Sequence, residues 1–192
     1  MRSASAGALV WLAAACFAGP ATAAERAIVR DVVVAASPQQ AWDAWTTREG
    51  ITSFFAPDAQ VDAKAGGAFH IYIDPLAEPG MKGADEMRFM ALQPPKMLSF
   101  DWNAPPSLPE ARRQRTFVVV RIEPVADGQT RVTLTHTGWG DGGEWDQAYA
   151  YFDRAWGNVL ANLKKRFETG PVDWTAWLDT LRKAHAQPPA AK

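Results

Sequence analysis

Cysteine is nearly absent from this chain of 192 residues: Cys16 is the only one. It lies in an N-terminal segment that reads as a removable leader, so the processed chain would carry none. That excludes a disulfide framework, a thiolate nucleophile and cysteine metal ligands, and leaves stability to the core. Histidine is scarce as well. His70, His136 and His185 are far apart and offer no metal-ligand spacing. No metal and no cofactor is expected. No apolar run is long enough for a spanning helix, which needs about 20 residues. Neither sign of charge is in excess, with 20 bases against 21 acids, so no nucleic acid or other polyanion is implied as a partner. The patterns H-E-x-x-H, G-x-S-x-G and the P-loop are missing.

Residues 1–23 read as a signal peptide. Arg2 provides the positive start, residues 8–18 the apolar stretch, and Gly19-Pro20 the break. Ala21, Thr22 and Ala23 place small residues at the cleavage-critical positions. The chain is therefore expected to be exported, to the periplasm or beyond. Cys16 follows three alanines and is a second possible processing site, as a lipid acceptor. The preceding stretch has Ala where a lipid-attachment motif prefers Leu, so ordinary cleavage is the expectation. Loss of Arg2 with the leader takes the formal charge from −1 to −2. The cluster Arg112-Arg113-Gln114-Arg115 reads as a solvated loop.

Aromatic residues are what the chain has in quantity. Nine tryptophans are present, eight of them after the leader. Such side chains build cores and also line pockets. Residues 28–35 alternate weakly, are rich in Val and read as a strand. Ser37-Pro38-Gln39-Gln40 opens a helix with a capping box, and Ala41, Trp42 and Trp45 form its apolar face. A short helix over 48–55 stops before Pro57. Strands are expected at 61–63, 69–74, 86–92, 97–103, 116–123 and 130–137. Asp127-Gly128 is a hairpin signal. Residues 74–84 read as a loop, and the Pro-rich segment 104–113 as a mobile flap.

The last third is helical. From Glu144, Trp145, Tyr149, Phe152, Trp156, Val159, Leu160, Leu163 and Phe167 recur in steps of three and four, one continuous stripe. Gly170-Pro171 ends that helix. Residues 172–186 form a further amphipathic helix carrying Trp174, Trp177, Leu178 and Leu181. Strands bracketed by helices indicate an α+β fold with an antiparallel sheet covered by the long helix. Three parts are expected: the leader at 1–23, one domain at 28–170, and an extra helix and tail at 171–192.

Several segments, in order, carry a family resemblance. They are Ser37-Pro38-Gln39-Gln40-Ala41-Trp42 with Trp45-Thr46-Thr47, Gly66-Gly67-Ala68-Phe69, and Pro94-Pro95-Lys96-Met97-Leu98. Thr133-Leu134-Thr135-His136-Thr137-Gly138-Trp139 and the helix through Trp156, Leu160, Leu163 and Lys164 complete the set. Over residues 28–168 the chain resembles the activator of heat-shock-protein ATPase homologue family. That family belongs to the START-like, birch-pollen-allergen-like (SRPBCC) superfamily. The resemblance implies a helix-grip fold: a curved antiparallel sheet of about six or seven strands wrapped around a C-terminal helix over an apolar cavity. The superfamily holds lipid carriers, cyclases and aromatases, and ring-hydroxylating subunits, and fold does not select among them. The cytosolic cochaperone role in the family name sits poorly with an export signal.

Chemistry has few footholds. Gly138-Trp139-Gly140-Asp141-Gly142-Gly143 fits G-x-G-x-x-G, but no parallel strand follows, and Asp141, Glu144 and Asp146 oppose a pyrophosphate. It reads as a strand-to-helix hinge. His136 shares a face with Val132 and Leu134 by period two and should point inward. It is either a candidate general base or a hydrogen-bonded core histidine. Candidate ligand-binding residues are Phe69, Ile71, Arg88, Phe100, Trp102, His136, Trp139, Tyr149, Phe152 and Trp156. The leading expectation is an exported domain that holds a small hydrophobic or aromatic molecule between the sheet and the long helix. The alternatives are a cyclase-like or hydrolase-like enzyme using His136, and a cell-envelope interaction module using Trp174 and Trp177 toward a protein partner.

Overall fold

The computed structural model describes residues 25–126 and 128–187. The leader with Cys16, Asp127 of the hairpin signal, and the tail from 188 lie outside the described residues. β1 (Ile28–Val34) leads into α1 (Pro38–Thr46). The capping box forms as the sequence requires: Ser37 Oγ accepts from Gln40 N, and Gln40 Oε1 accepts from Ser37 N. Ala41, Trp42 and Trp45 turn inward. α2 (Arg48–Thr52) is shorter than the expected 48–55, because Phe54 and Phe55 leave the helix to enter the core.

The described residues form eight strands. After β1 come β2 (Asp58–Val61), β3 (Phe69–Tyr72), β4 (Gly83–Ala84), β5 (Phe89–Gln93) and β6 (Met97–Trp102). The four-residue helix α3 (Pro109–Arg112) precedes β7 (Thr116–Pro124) and β8 (Thr130–Thr137). All pairings are antiparallel, in a five-stranded sheet ordered β1-β8-β7-β6-β5 and a three-stranded sheet ordered β2-β3-β4. The strand positions differ from expectation chiefly at one place. The expected strand at 86–92 is interrupted by Glu86, whose φ of 66° breaks the extended backbone. β4 therefore forms inside the expected 74–84 loop, and β5 starts later. Hydrogen bonds from Phe69 N to Met87 O and from Phe89 N to Gly67 O tie the two sheets across that break. A bulge between Phe89 and Ala91 adds curvature.

α4 (Glu144–Thr169) lies along β1 and fills the concave side of the sheet. Its Phe152, Trp156, Leu160 and Leu163 meet Leu98, Phe100 and Trp102 of β6, Val118 and Val120 of β7, and Leu134 of β8 in one buried cluster. Burial of each such side chain stabilises by roughly 1.5–3 kcal/mol, which compensates for the missing disulfides. Segment 104–113, read as a flap, is instead anchored. Leu108 and Ala111 are buried in a small cluster with Ala104 and Ala148, and Ala111 N donates to Glu144 Oε2.

α5 (Thr175–Ala186) folds back onto its own domain. Trp174 Nε1 donates to Thr52 O at 2.7 Å, Trp177 Nε1 donates to Ile73 O at 2.8 Å, and Val172 N donates to Ser53 O. Leu181 is buried, and His185 Nε2 lies 2.8 Å from Asp74 Oδ2.

Candidate functional site

The aromatic stripe of α4 and the inward faces of β6 and β8 converge on His136, which is 0% exposed. Trp156 Nε1 donates to its Nδ1 at 2.9 Å. An indole nitrogen only donates, so Nδ1 is the acceptor and the proton of the neutral ring sits on Nε2. That Nε2–H donates to Thr116 Oγ1 at 2.7 Å, and the Thr116 hydroxyl in turn donates to Trp102 O at 3.3 Å. The rings of Trp139 and Phe152 close the remaining sides at centroid distances of 4.1 and 5.2 Å. Burial holds the imidazole pKa down at about 3, so the ring is neutral at ordinary pH. Both nitrogens are used within the core, and the lone pair a general base would need is already engaged by Trp156.

Besides His136, the expected candidates separate into four groups. Phe69, Ile71 and Phe100 are sealed in the core, with Phe69 and Phe100 in ring contact at 4.3 Å. Trp156 joins them there. Trp139 and Tyr149 pack against each other at 5.2 Å over the β1 end of α4, where Tyr149 Oη donates to Ala27 O and the Arg26 guanidinium covers its ring. Arg88 faces outward, a correction to its placement in the pocket. Met87 and Phe89 take the inward positions, and the Arg88 guanidinium reaches Gly66 O on the outside. His70 shares that outer region; its pKa is lowered by burial first and by Arg88 next.

Of the expected set, Trp102 and Phe152 line a cleft. It is half-open, of about 450 Å³, and lies at the end of the sheet–helix sandwich, not in the middle of it. The gap beneath the centre of α4 is filled by the side chains named above. One wall of the cleft comes from the β3–β4 hairpin, with Ile73, Ala77, Met81 and Ala84. Asn103, Ala104, Pro105 and Pro106 follow β6 along a second side. Tyr151 of α4 stands at a third, and Trp177 and Leu181 of α5 close the fourth. The lining is mostly apolar, with Asn103, Asp74, Lys82 and the Tyr151 hydroxyl as its polar groups.

Arg112 braces this arrangement. Its guanidinium donates to Ala104 O on one wall and to Gly80 O and Gly83 O on the other. Burial lowers its pKa from the ordinary value, and Asp85 opposes that shift. Arg113 pairs with Glu110, and Arg115 lies beside Asp101 and Glu86, so all three arginines of the basic cluster have intramolecular partners. The glycine-rich hinge has a packing reason: Gly140 lies so close to Trp145 that a Cβ would sit 2.3 Å from its indole nitrogen.

Asn103, Tyr151 and the bracing role of Arg112 were missed by sequence reasoning. Asn103 alone carried a signal, as a polar residue directly after the inward series Leu98, Phe100, Trp102. Among the described residues there is no group of three or more His, Cys, Asp or Glu that could hold a metal ion, and no helix long and apolar enough to cross a membrane.

Comparison with known proteins bears on the same region. The profile of the family described as "Activator of Hsp90 ATPase homolog 1-like protein" matches residues 35–168. That match ends within α4, so α5 and its two cleft residues lie beyond it. Among solved structures, a Mesorhizobium loti protein aligns with TM-score 0.63 and 21% identity, covering 77% of this chain and 100% of its own. The Aha1 dimer of Colwellia psychrerythraea aligns with TM-score 0.59 and 22% identity, over 76% and 98% of the two chains. An HSP90 activator from Plasmodium falciparum aligns with TM-score 0.54 and 18% identity, over 76% and 97%. At these identities the likeness is one of fold. No curated protein sequence matches.

Proposed function

We propose that this chain, which belongs to the Activator of Hsp90 ATPase homolog 1-like family, is an exported START-like domain that sequesters a small hydrophobic or aromatic molecule. The observation that carries this reading is the cleft between the sheet end, α4 and α5. Its volume of about 450 Å³ suits a small organic molecule, and its lining is apolar with a few polar groups. Those are the properties of ligand sites in general. Trp102 and Phe152 offer aromatic faces, and Trp177 with Leu181 supplies a cover that the family-matched region lacks.

A cyclase-like or hydrolase-like reading built on His136 has less support, because both imidazole nitrogens are engaged inside the core. A partner-binding role for Trp174 and Trp177 is also less favoured, since both indole N–H groups are bonded to the chain's own carbonyls. The export signal weighs against the chaperone-linked activity named for the Plasmodium relative.

Native mass spectrometry of the processed protein, purified from its own cell envelope, tests the proposal. A stoichiometric hydrophobic molecule released on denaturation is the expected result. Protein that stays empty across growth conditions, and does not take up hydrophobic probes, would overturn it.

A further inference from the structure

Asn103 is a buried polar side chain at the cleft that the fold leaves unused. The residue is only 6% exposed and lines the cleft. Its carboxamide makes no hydrogen bond among the described residues, yet neither polar atom belongs to those sealed away from solvent without a partner. The small exposed area therefore opens into the cleft. A buried carboxamide without a partner costs free energy unless something pairs with it. Beside it, Trp102 also lines the cleft, and its indole N–H is buried with no acceptor. The Trp102 N–H is sealed from the cleft, so it is the Asn103 carboxamide, with two N–H donors and one acceptor, that stands unpaired at this mostly apolar space.

The charged residues of the lining do not call for a charged ligand. Asp74 is engaged by His185 and by Leu76 N. The Lys82 ammonium lies 5.2 Å from the centre of the Tyr72 ring. They are of opposite sign, and each already has a partner.

We infer that the cleft selects neutral ring compounds bearing a carbonyl oxygen, which accepts a hydrogen bond from the Asn103 carboxamide while Trp177 covers the apolar body. This rests on the cleft being the binding site, and it adds a substrate class and a specificity residue to that reading. Sites that pair a buried polar group with the ligand reject an analogue lacking the partner, whereas apolar walls discriminate weakly.

The test uses two fluorescent probes of the same shape: 6-propionyl-2-(dimethylamino)naphthalene and its carbonyl-free analogue 2-(dimethylamino)-6-propylnaphthalene. The wild-type protein should bind the carbonyl probe about 10-fold more tightly, the range of one hydrogen bond in a dry site. Asn103→Leu should abolish that preference while keeping affinity for the analogue. Asn103→Asp preserves the shape but replaces the donor with an acceptor, and should weaken the carbonyl probe alone. Trp177→Ala should weaken both probes by a common factor. The wild-type comparison needs no variant, so it decides the matter even if a substitution impairs folding. Equal wild-type affinities for the two probes would overturn the role of Asn103 and leave the cleft reading standing. Absence of binding by either probe, or binding indifferent to Trp177→Ala, would overturn the cleft as the site and this inference with it.

Discussion

Trp156 on α4 donates its indole proton to Nδ1 of His136 on β8, at 2.9 Å, in a region from which water is excluded. The bond joins the two layers of the fold and decides the chemistry of the imidazole. An indole cannot accept, so the ring must present a lone pair to it, and its Nε2–H donates to Thr116 Oγ1 on β7. Helix, two strands and the Trp102 carbonyl are linked in one directional series. Such a series is worth most in a low dielectric, and costs most when one member is lost.

The first prediction concerns that histidine. Its ring nitrogens should show the Nε2–H tautomer by NMR and should not titrate between pH 5 and 8. The folded pKa of about 3 lies below the ordinary value of 6.5. Between those values the unfolded chain takes up a proton that the folded chain refuses. The contribution to stability is therefore whole above about pH 6.5, and falls by about 1.4 kcal/mol per pH unit as the pH drops toward 3. Urea titrations of wild type and His136→Gln across that window should differ by one proton's slope. Parallel pH profiles would contradict the assignment.

Arg112 is the second target. One guanidinium holds carbonyls on two walls of the cleft. Arg112→Met keeps the aliphatic stem and removes every donor. Stability should fall by about 1–3 kcal/mol, and the carbonyl probe should bind more weakly as the walls separate. Unchanged urea midpoint and unchanged affinity would show that the brace is dispensable.

The third prediction separates α5 from the domain it covers. Truncation after Gly170 leaves the family-matched region intact and removes Trp174, Trp177 and Leu181. The lost burial and indole hydrogen bonds should cost about 2–4 kcal/mol. The truncated protein should still show the circular dichroism of an α+β fold, but bind hydrophobic probes at least 10-fold less tightly, as expected when one apolar wall is removed. Retained affinity would mean that α5 is no wall of the site.

Export is the fourth. The full chain expressed in a bacterium should yield an envelope-located protein whose intact mass begins at Ala24, carrying no lipid. A mass beginning at Cys16 with a diacylglycerol added would instead identify a lipid-anchored form.

Much of this molecule follows from local chemistry. The capping box at Ser37, the period-two faces of β6 and β8, the stripe of α4 and the stop at Gly170 were all legible, because neighbours in sequence create those signals. The inward direction of His136 was legible for the same reason. Its partners were not. Thr116 and Trp156 each stand 20 residues away in sequence, on different elements. Only the packing of those elements determined whether the histidine would be a base or a bridge.

Pocket and core could not be told apart in sequence, since the same aromatic residues serve both. Tertiary structure decided it by volume: Phe69, Phe100 and Trp156 fill the centre, while Trp102 and Phe152 are left at an open end. The sequence determined which elements form and which faces are apolar, because those depend on residues a few positions apart. Tertiary structure alone decided where the apolar faces fail to fill the space between them. It also decided that α5 returns to cover that space, because both outcomes depend on contacts between residues distant in the chain.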